Sequence, residues 1–220
     1  MSTLATSVTN WQEESLQYDS KHPRMRAMVR LISAMPERSL LDAGCSVGTL
    51  KRLLPADYEY FGCDITDHAA RSLGPSHFQQ LDLNTTKDLT FFENRGIQLI
   101  HMGGFLEYIG QPRELLRSFH RVVGVGGRLI MSMTNFECHR YQDVAKSHHR
   151  AWLFKPKVEE LREALASQGW RVEREVPFIG GRSSWSRRLC RLLAHVRGVN
   201  HPWTRKQAWL FITIARAVEH

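Results

Sequence analysis

Short apolar runs alternate with amphipathic stretches along most of the chain, and that alternation sets the elements. Ser39-Leu40-Leu41 reads as a first strand, followed by a glycine-containing turn and a helix from Thr49 to Leu54. Tyr58 to Cys63 predicts a second strand, Asp67 to Leu73 a helix, and His77 to Leu81 a short third strand. Ile97 to Met102 is a fourth strand, stopped by Gly103-Gly104. Pro112 opens a helix that runs through Val123, since proline suits a first helical turn. Gly126-Gly127 then lead into a fifth strand from Arg128 to Met133. Lys157 to Gln168 has helical periodicity with Gly169 as its stop, and Trp170 to Val176 and Trp209 to Ala215 are β-rich. Strands alternating with helices predict an α/β domain with a mostly parallel sheet and helices on both faces. The last two strands lack a certain helical crossover and could pair antiparallel at the sheet edge. Before the first strand, Trp11 to Met35 reads as one or two helices broken near His22-Pro23. The expected organisation is therefore a helical cap over residues 1–38 and one main domain over 39–220, with an insertion at 180–207.

Composition supports a single core. Of 220 residues 42% are apolar, enough for one α/β domain and against wholesale disorder. No apolar run reaches bilayer length, and Met1 to Asn10 lacks the order of a secretory signal, so a cytoplasmic location is expected. Cys45, Cys63, Cys138 and Cys190 are scattered without a C-x-x-C pair, which predicts buried thiols and no metal site.

Charge adds one feature. The net charge is +8, but residues 182–207 alone hold seven Arg or Lys and no acid. Within that segment Trp185, Leu189, Leu192, Leu193 and Val196 fall at helical spacings, with Arg187, Arg188 and Arg191 interleaved. Such a helix can pack on the sheet edge, form a wall of an acceptor pocket, or meet an acidic partner. Nucleic acid is the weakest of these partners, because no aromatic-interleaved binding module is present.

The run Leu40-Leu41-Asp42-Ala43-Gly44-Cys45-Ser46-Val47-Gly48-Thr49-Leu50 carries the chemistry. A strand ends on Asp42, glycines flank a tight turn, and a helix begins. In an open parallel sheet ligands bind beyond the carboxyl ends of the strands, where strand order reverses. Gly44 and Gly48 allow close backbone approach and positive φ. The second strand ends in Cys63-Asp64-Ile65, and an acid there can accept from ribose hydroxyls. The third ends in Leu81-Asp82-Leu83-Asn84, where Asp82 can accept from an adenine amino group between apolar neighbours. Each acid alone could be a turn former, but three strand-end acids in order describe a nucleoside pocket.

These residues resemble the class I S-adenosylmethionine-dependent methyltransferases over roughly Leu40 to Ala215. LLDAGCSVGTL resembles their first motif, IQLIHMGGFLEYI their fourth-strand motif, and FHRVVGVGGRLIMSMTN the helix leading into their fifth strand. MTNFECHRY and the tail look closest to the W-type methionine-biosynthesis and the ubiquinone-biosynthesis methyltransferases. The resemblance implies a Rossmann-like seven-stranded sheet with an antiparallel edge strand, and S-adenosylmethionine as cofactor. It implies contacts to that cofactor from Asp42, Gly44, Ser46, Gly48, Asp64, Ile65, Asp82, Leu83, Met102 and Gly103, with Tyr18 closing over it from the cap. Three positions depart from the family pattern: Ser46 replaces its middle glycine, Tyr108 the histidine of L-E-H, and Val125 the proline before Gly126-Gly127.

Rival readings exist. Gly44-Cys45-Ser46-Val47-Gly48 fits the G-x-S-x-G nucleophile elbow, but hydrolases need several strands before it, and the preceding residues read as helical. A nicotinamide-binding domain wants G-x-G-x-x-G, and no third glycine follows Gly48. A third reading keeps the fold without catalysis: it binds the nucleoside cofactor, or nothing, and acts by contacting a partner enzyme.

On the substrate side the expected acceptor is a small molecule. His139 can change protonation near neutral pH and is the candidate base, among Asn135, Glu137, Arg140, Tyr141 and His148-His149-Arg150. His101, inside the fourth strand, reads as a packed core histidine.

Overall fold

Two faces of one sheet take up nearly all the buried apolar side chains. The strands are β1 (Ser39–Ala43), β2 (Glu59–Asp64), β3 (Phe78–Gln80), β4 (Leu99–Gly103), β5 (Arg128–Thr134), β6 (Trp170–Phe178) and β7 (Leu210–Ala217). The helices are α1 (Pro23–Ser33), α2 (Thr49–Leu53), α3 (Ala70–Leu73), α4 (Pro112–Val123), α5 (Val158–Ala166) and α6 (Pro202–Gln207). The computed structural model describes residues 20–138, 152–179, 192, 193, 196 and 198–219. The expected helix around Trp185 and the segment 139–151 lie outside the described residues.

The sheet order is β3-β2-β1-β4-β5-β7-β6. β1 to β5 pair in parallel, and β7 runs antiparallel to both β5 and β6. The reversed strand thus sits one place in from the edge. The order turns back between β1 and β4, which places the switch point beside the Gly44–Gly48 loop.

β1 is buried at every position, as a central strand covered on both faces requires. Alternation sorts its neighbours: Leu40, Leu99 and Ile130 pack on one face, Leu41, Ile100 and Leu129 on the other. α1 and α2 cover the first face with Met28, Ile32 and Leu50. α4 covers the second with Leu115, Leu116, Phe119 and Val122, one stripe of a helix that Pro112 opens and Gly124 ends. Trp170 of β6 donates its indole N–H to the Leu116 carbonyl at 2.9 Å, so the largest buried side chain also satisfies its polar atom.

α1 begins where the sequence breaks, with His22 as N-cap and Pro23 at the first turn. α6 was not anticipated by the apolar pattern, although His201-Pro202 repeats the same capping arrangement. No helix among the described residues is long and apolar enough to cross a membrane.

Candidate functional site

The loop after β1 is shaped by three left-handed residues, Gly44 at φ 76°, Ser46 at φ 48° and Gly48 at φ 70°. The Gly44 and Cys45 amides both donate to the Cys63 carbonyl, at 2.8 and 3.1 Å, which folds the loop back over β2. A Cβ at Gly44 would lie 3.2 Å from the Phe105 ring, so that position needs glycine for approach as well as for φ. Gly48 is the N-cap of α2. Ser46 is a non-glycine residue in a region L side chains avoid, and its amide is held by Asp64 Oδ2 at 2.8 Å.

Asp64 works twice. Its other oxygen accepts from the Thr66 amide at 2.9 Å and the Thr66 hydroxyl at 2.8 Å. A carboxylate has about four acceptor sites, so with three taken there is capacity for one ligand hydroxyl. Asp82 Oδ1 accepts from the Asn84 amide at 2.9 Å. Asn84 in turn donates to the Tyr108 carbonyl at 3.0 Å and accepts from the Gly110 amide at 3.0 Å. It ties the end of β3 to the turn after β4.

These parts enclose a cleft of about 1170 Å³, solvent mouth included. Asp42, Gly44, Ser46, Asp64, Ile65, Asp82, Leu83 and Gly103 all line it, so eight of the residues singled out in the sequence come together. Met102 does not line it; its side chain is fully buried in the core on the opposite face, because strand residues alternate and His101 takes the cleft side. Gly48 also lies off the lining and serves the backbone at the start of α2. Tyr18 and His139 lie outside the described residues. The sequence reading missed Arg24, Met25 and Met28 of α1, together with Asn84, His101, Phe105 and Tyr108. The helix start at His22-Pro23 was the available signal for the first three.

Asp42 is 3% exposed, and a carboxylate in a central strand needs partners. The Tyr60 hydroxyl donates to its Oδ2, and His101 Nδ1 lies 2.6 Å from its Oδ1. Burial, reinforced by the Asp42 charge, pushes the Tyr60 hydroxyl well up, so it stays protonated and remains a donor. Burial also pushes up the Cys45 and Cys63 thiols, with Asp42 and Asp64 adding to the effect. Neither is a thiolate nucleophile at neutral pH.

Glu107, in the turn after β4, is 1% exposed. Its Oε1 accepts from the Thr134 amide at 2.7 Å, and its carbonyl accepts from Leu153 and Phe154. Burial raises its carboxyl despite those bonds. No group of three or more His, Cys, Asp or Glu among the described residues could hold a metal.

The nicotinamide reading fails on topology. A nicotinamide-type sheet of order 3-2-1-4-5-6 has no antiparallel strand between its fifth and sixth, where β7 lies here.

Comparison with known proteins agrees. Residues 41–129 match the family model Methyltransf_12, a methyltransferase domain. No curated protein matches the sequence. Among solved structures, a chain of the Haloferax volcanii complex between the Trm112 methyltransferase activator and a methyltransferase is 15% identical, with a TM-score of 0.66, covering 100% of this chain and 99% of that one. A SAM-dependent methyltransferase from Archaeoglobus fulgidus is 16% identical, with a TM-score of 0.64 and coverages of 93% and 97%. The N-methyltransferase NodS from Bradyrhizobium japonicum, solved with S-adenosyl-L-homocysteine, is 15% identical, with a TM-score of 0.61 and coverages of 97% and 98%. At such identities the solved structures speak for the fold, and the family model speaks for residues 41–129, which carry most but not all of the cleft lining. The chain therefore has the fold of solved S-adenosylmethionine-dependent methyltransferases, and its residues 41–129 match a methyltransferase domain.

Proposed function

We propose that this protein is an S-adenosylmethionine-dependent methyltransferase acting on a small-molecule acceptor in the cytoplasm. One observation carries the reading: Asp42, Asp64 and Asp82, from the ends of three adjacent strands, line a single cleft at the switch point of the sheet. The residues fit the cofactor part by part. Asp64 faces the cleft where ribose hydroxyls need an acceptor, and Asp82 stands one strand further out, with Ile65 and Leu83 as the apolar walls for a base. Gly44 leaves room for the Phe105 ring to pack against the loop.

When bound, the cofactor supplies an electrophilic methyl group on a sulfonium. The protein's own work is to align that group with the acceptor and exclude water. Met25 and Met28 of α1, with Phe105 and Tyr108, supply apolar lining for this. A concave cleft with apolar lining suits a small acceptor better than a macromolecular one. His139 is the proposed base where the acceptor carries a proton that must leave. The segment 182–207 is proposed to meet the acceptor or an acidic partner; its Leu192 and Val196 are 60% and 74% exposed.

A second reading, cofactor binding without transfer, is favoured by Ser46, which holds a strained conformation where glycine would be relaxed. Incubation with methyl-labelled cofactor and a metabolite extract separates the two. Label appearing in a small-molecule product supports transfer. Cofactor binding with label retained across acceptor fractions supports the second reading.

A further inference from the structure

α1 separates two hollows. Arg24, Met25 and Met28 line the cleft of the three acids, while Pro23, Arg26, Ala27 and Arg30 line a second groove. The helical period produces this split. Residues 24 and 28 share one side of α1, and 23 with 27 and 26 with 30 share the other. The far wall of the groove is β6, the last strand of the sheet, through Arg174, Val176, Pro177 and Phe178. The groove encloses about 1770 Å³, solvent mouth included, more than the cleft.

Apolar and cationic groups divide its lining. Ala27, Val176, Pro177 and Phe178 are half-buried, and Leu192 reaches the groove 60% exposed. Val176 also packs against the core cluster that holds Ile212 and Ile214. Arg26 and Arg30 stand exposed on the α1 side and Arg174 on the β6 side. None of these three pairs with a carboxylate among the described residues. Arg26 and Arg30 are four residues apart, so like charges lie side by side, an arrangement that destabilises an isolated helix. Glu175 lines the groove as well, but Arg162 already holds it, with Nε donating to Oε1 at 3.0 Å.

An apolar strip beside unpaired cations selects an acidic polypeptide. A strand would add poorly to β6, because the register shift between Val172 and Arg174 breaks its ladder and Pro177 has no N–H to give. A helix lying along α1 fits better, since α1 runs 11 residues, about 16 Å. Carboxylates three or four residues apart on that helix match the spacing of Arg26 and Arg30. A concave groove does not suit a flat anionic bilayer, and its described lining has no exposed aromatic ring on which bases could stack. We propose that the groove between α1 and β6 docks an acidic amphipathic helix of a partner protein. Its apolar stripe lies against Val176 and Phe178, and its carboxylates meet Arg26, Arg30 and Arg174. The proposal rests on α1 and β6, not on the charges of 182–207, and it does not depend on the chemistry of the cleft.

Dye-labelled synthetic peptides of about sixteen residues, long enough to hold a helix, test this with the full chain. One carries a leucine stripe flanked by glutamates four residues apart. A second has lysine for each glutamate, and a third has serine for each leucine. Fluorescence anisotropy should show saturable binding of the first peptide alone. Arg26→Glu with Arg30→Glu should weaken it roughly tenfold or more, as two partly exposed ion pairs become repulsive, and make the lysine peptide the better ligand. Unfolding cannot produce that reversed preference. Arg113→Glu with Arg171→Glu, the same charge change outside the groove, should leave the glutamate peptide bound as before. Absence of glutamate-peptide binding, whether the surface is unfit or another part of the chain fills it, overturns the proposal. So does binding that survives the reversal at Arg26 and Arg30. Single-stranded RNA or phosphatidylserine vesicles bound through those arginines, with the peptide ignored, would name a different occupant and overturn it too.

Discussion

Single side chains at and beside the cleft bear on the fold and on the proposed site. Ser46 sits at φ 48°, a region that costs a non-glycine residue about 1–2 kcal/mol. Glycine relaxes that strain but frees the unfolded chain, and the two effects oppose each other. Ser46→Gly is therefore expected to keep the fold and bind cofactor equally or more tightly, because the amide held by Asp64 is retained. A severe loss of affinity in calorimetry would show that the hydroxyl contacts the ligand. Glu107 does not line the cleft and bears on the fold alone. Its folded carboxyl is raised by burial, so it favours stability most below its unfolded value of about 4.3, and that contribution is lost as pH rises through the folded value. Glu107→Gln keeps an acceptor for the Thr134 amide and removes the titration. Thermal melts between about pH 4 and pH 8 should show the wild type losing ground to the variant as pH rises. A constant difference would contradict a titrating Glu107. At this scale alternation explains the misreading in β4. Apolar runs on fully buried strands do not reveal which residue faces a cleft, and only the register with Asp42 assigns His101 to it over Met102.

Elements met the sequence reading best where a backbone device marked them. Pro112 and Gly124 bracket α4, and the predicted span and the observed one coincide. The loop of left-handed residues after β1 was legible from its glycines, and the acids of β2 and β3 from their places at strand ends. The order of β6 and β7 was not legible, because two β-rich runs look alike whichever one takes the edge. Their arrangement instead shows in charges. A register shift between Val172 and Arg174 sets Glu173 out of the ladder, where Arg128 of β5 and Arg216 of β7 both donate to it, at 3.1 and 2.6 Å. Burial pushes this carboxyl up, but the two arginines outweigh that and hold it below its ordinary value. A lowered carboxyl contributes stability above its unfolded value, and the contribution is lost as pH falls through the folded one. Glu173→Gln should cost about 1 kcal/mol at pH 7 in urea unfolding, the upper range for such partly exposed pairs. The difference should shrink as pH falls below the ordinary carboxyl value of about 4.3 and vanish only once the lowered folded carboxyl is protonated. An unchanged midpoint at pH 7 would show that the bulge is held by backbone alone. The segment 182–207 is an element-scale question as well. Arg187→Glu with Arg188→Glu is expected to spare cofactor binding and reduce methyl transfer to the true acceptor. Unchanged turnover at low salt would make those arginines plain surface.

The whole molecule joins a fold that the alternation of runs made legible to a site that only three dimensions assemble. α1 shows the difference. The sequence placed a cap before β1, but the meeting of Arg24, Met25 and Met28 with the ends of β1 and β4 is a packing result no local pattern contains. Because loop, acids and apolar lining come from separate elements, the central claim is that they act together as one S-adenosylmethionine site. Calorimetric titration of S-adenosylhomocysteine into the wild type and into Asp64→Ala tests it most directly. Asp64 would give the ligand a charge-assisted acceptor, worth about 1.5–3 kcal/mol, and it also holds the Ser46 amide. The wild type should bind saturably, and Asp64→Ala should bind roughly tenfold to a hundredfold more weakly. Absence of binding by the wild type, or equal affinity in the variant, would contradict the account.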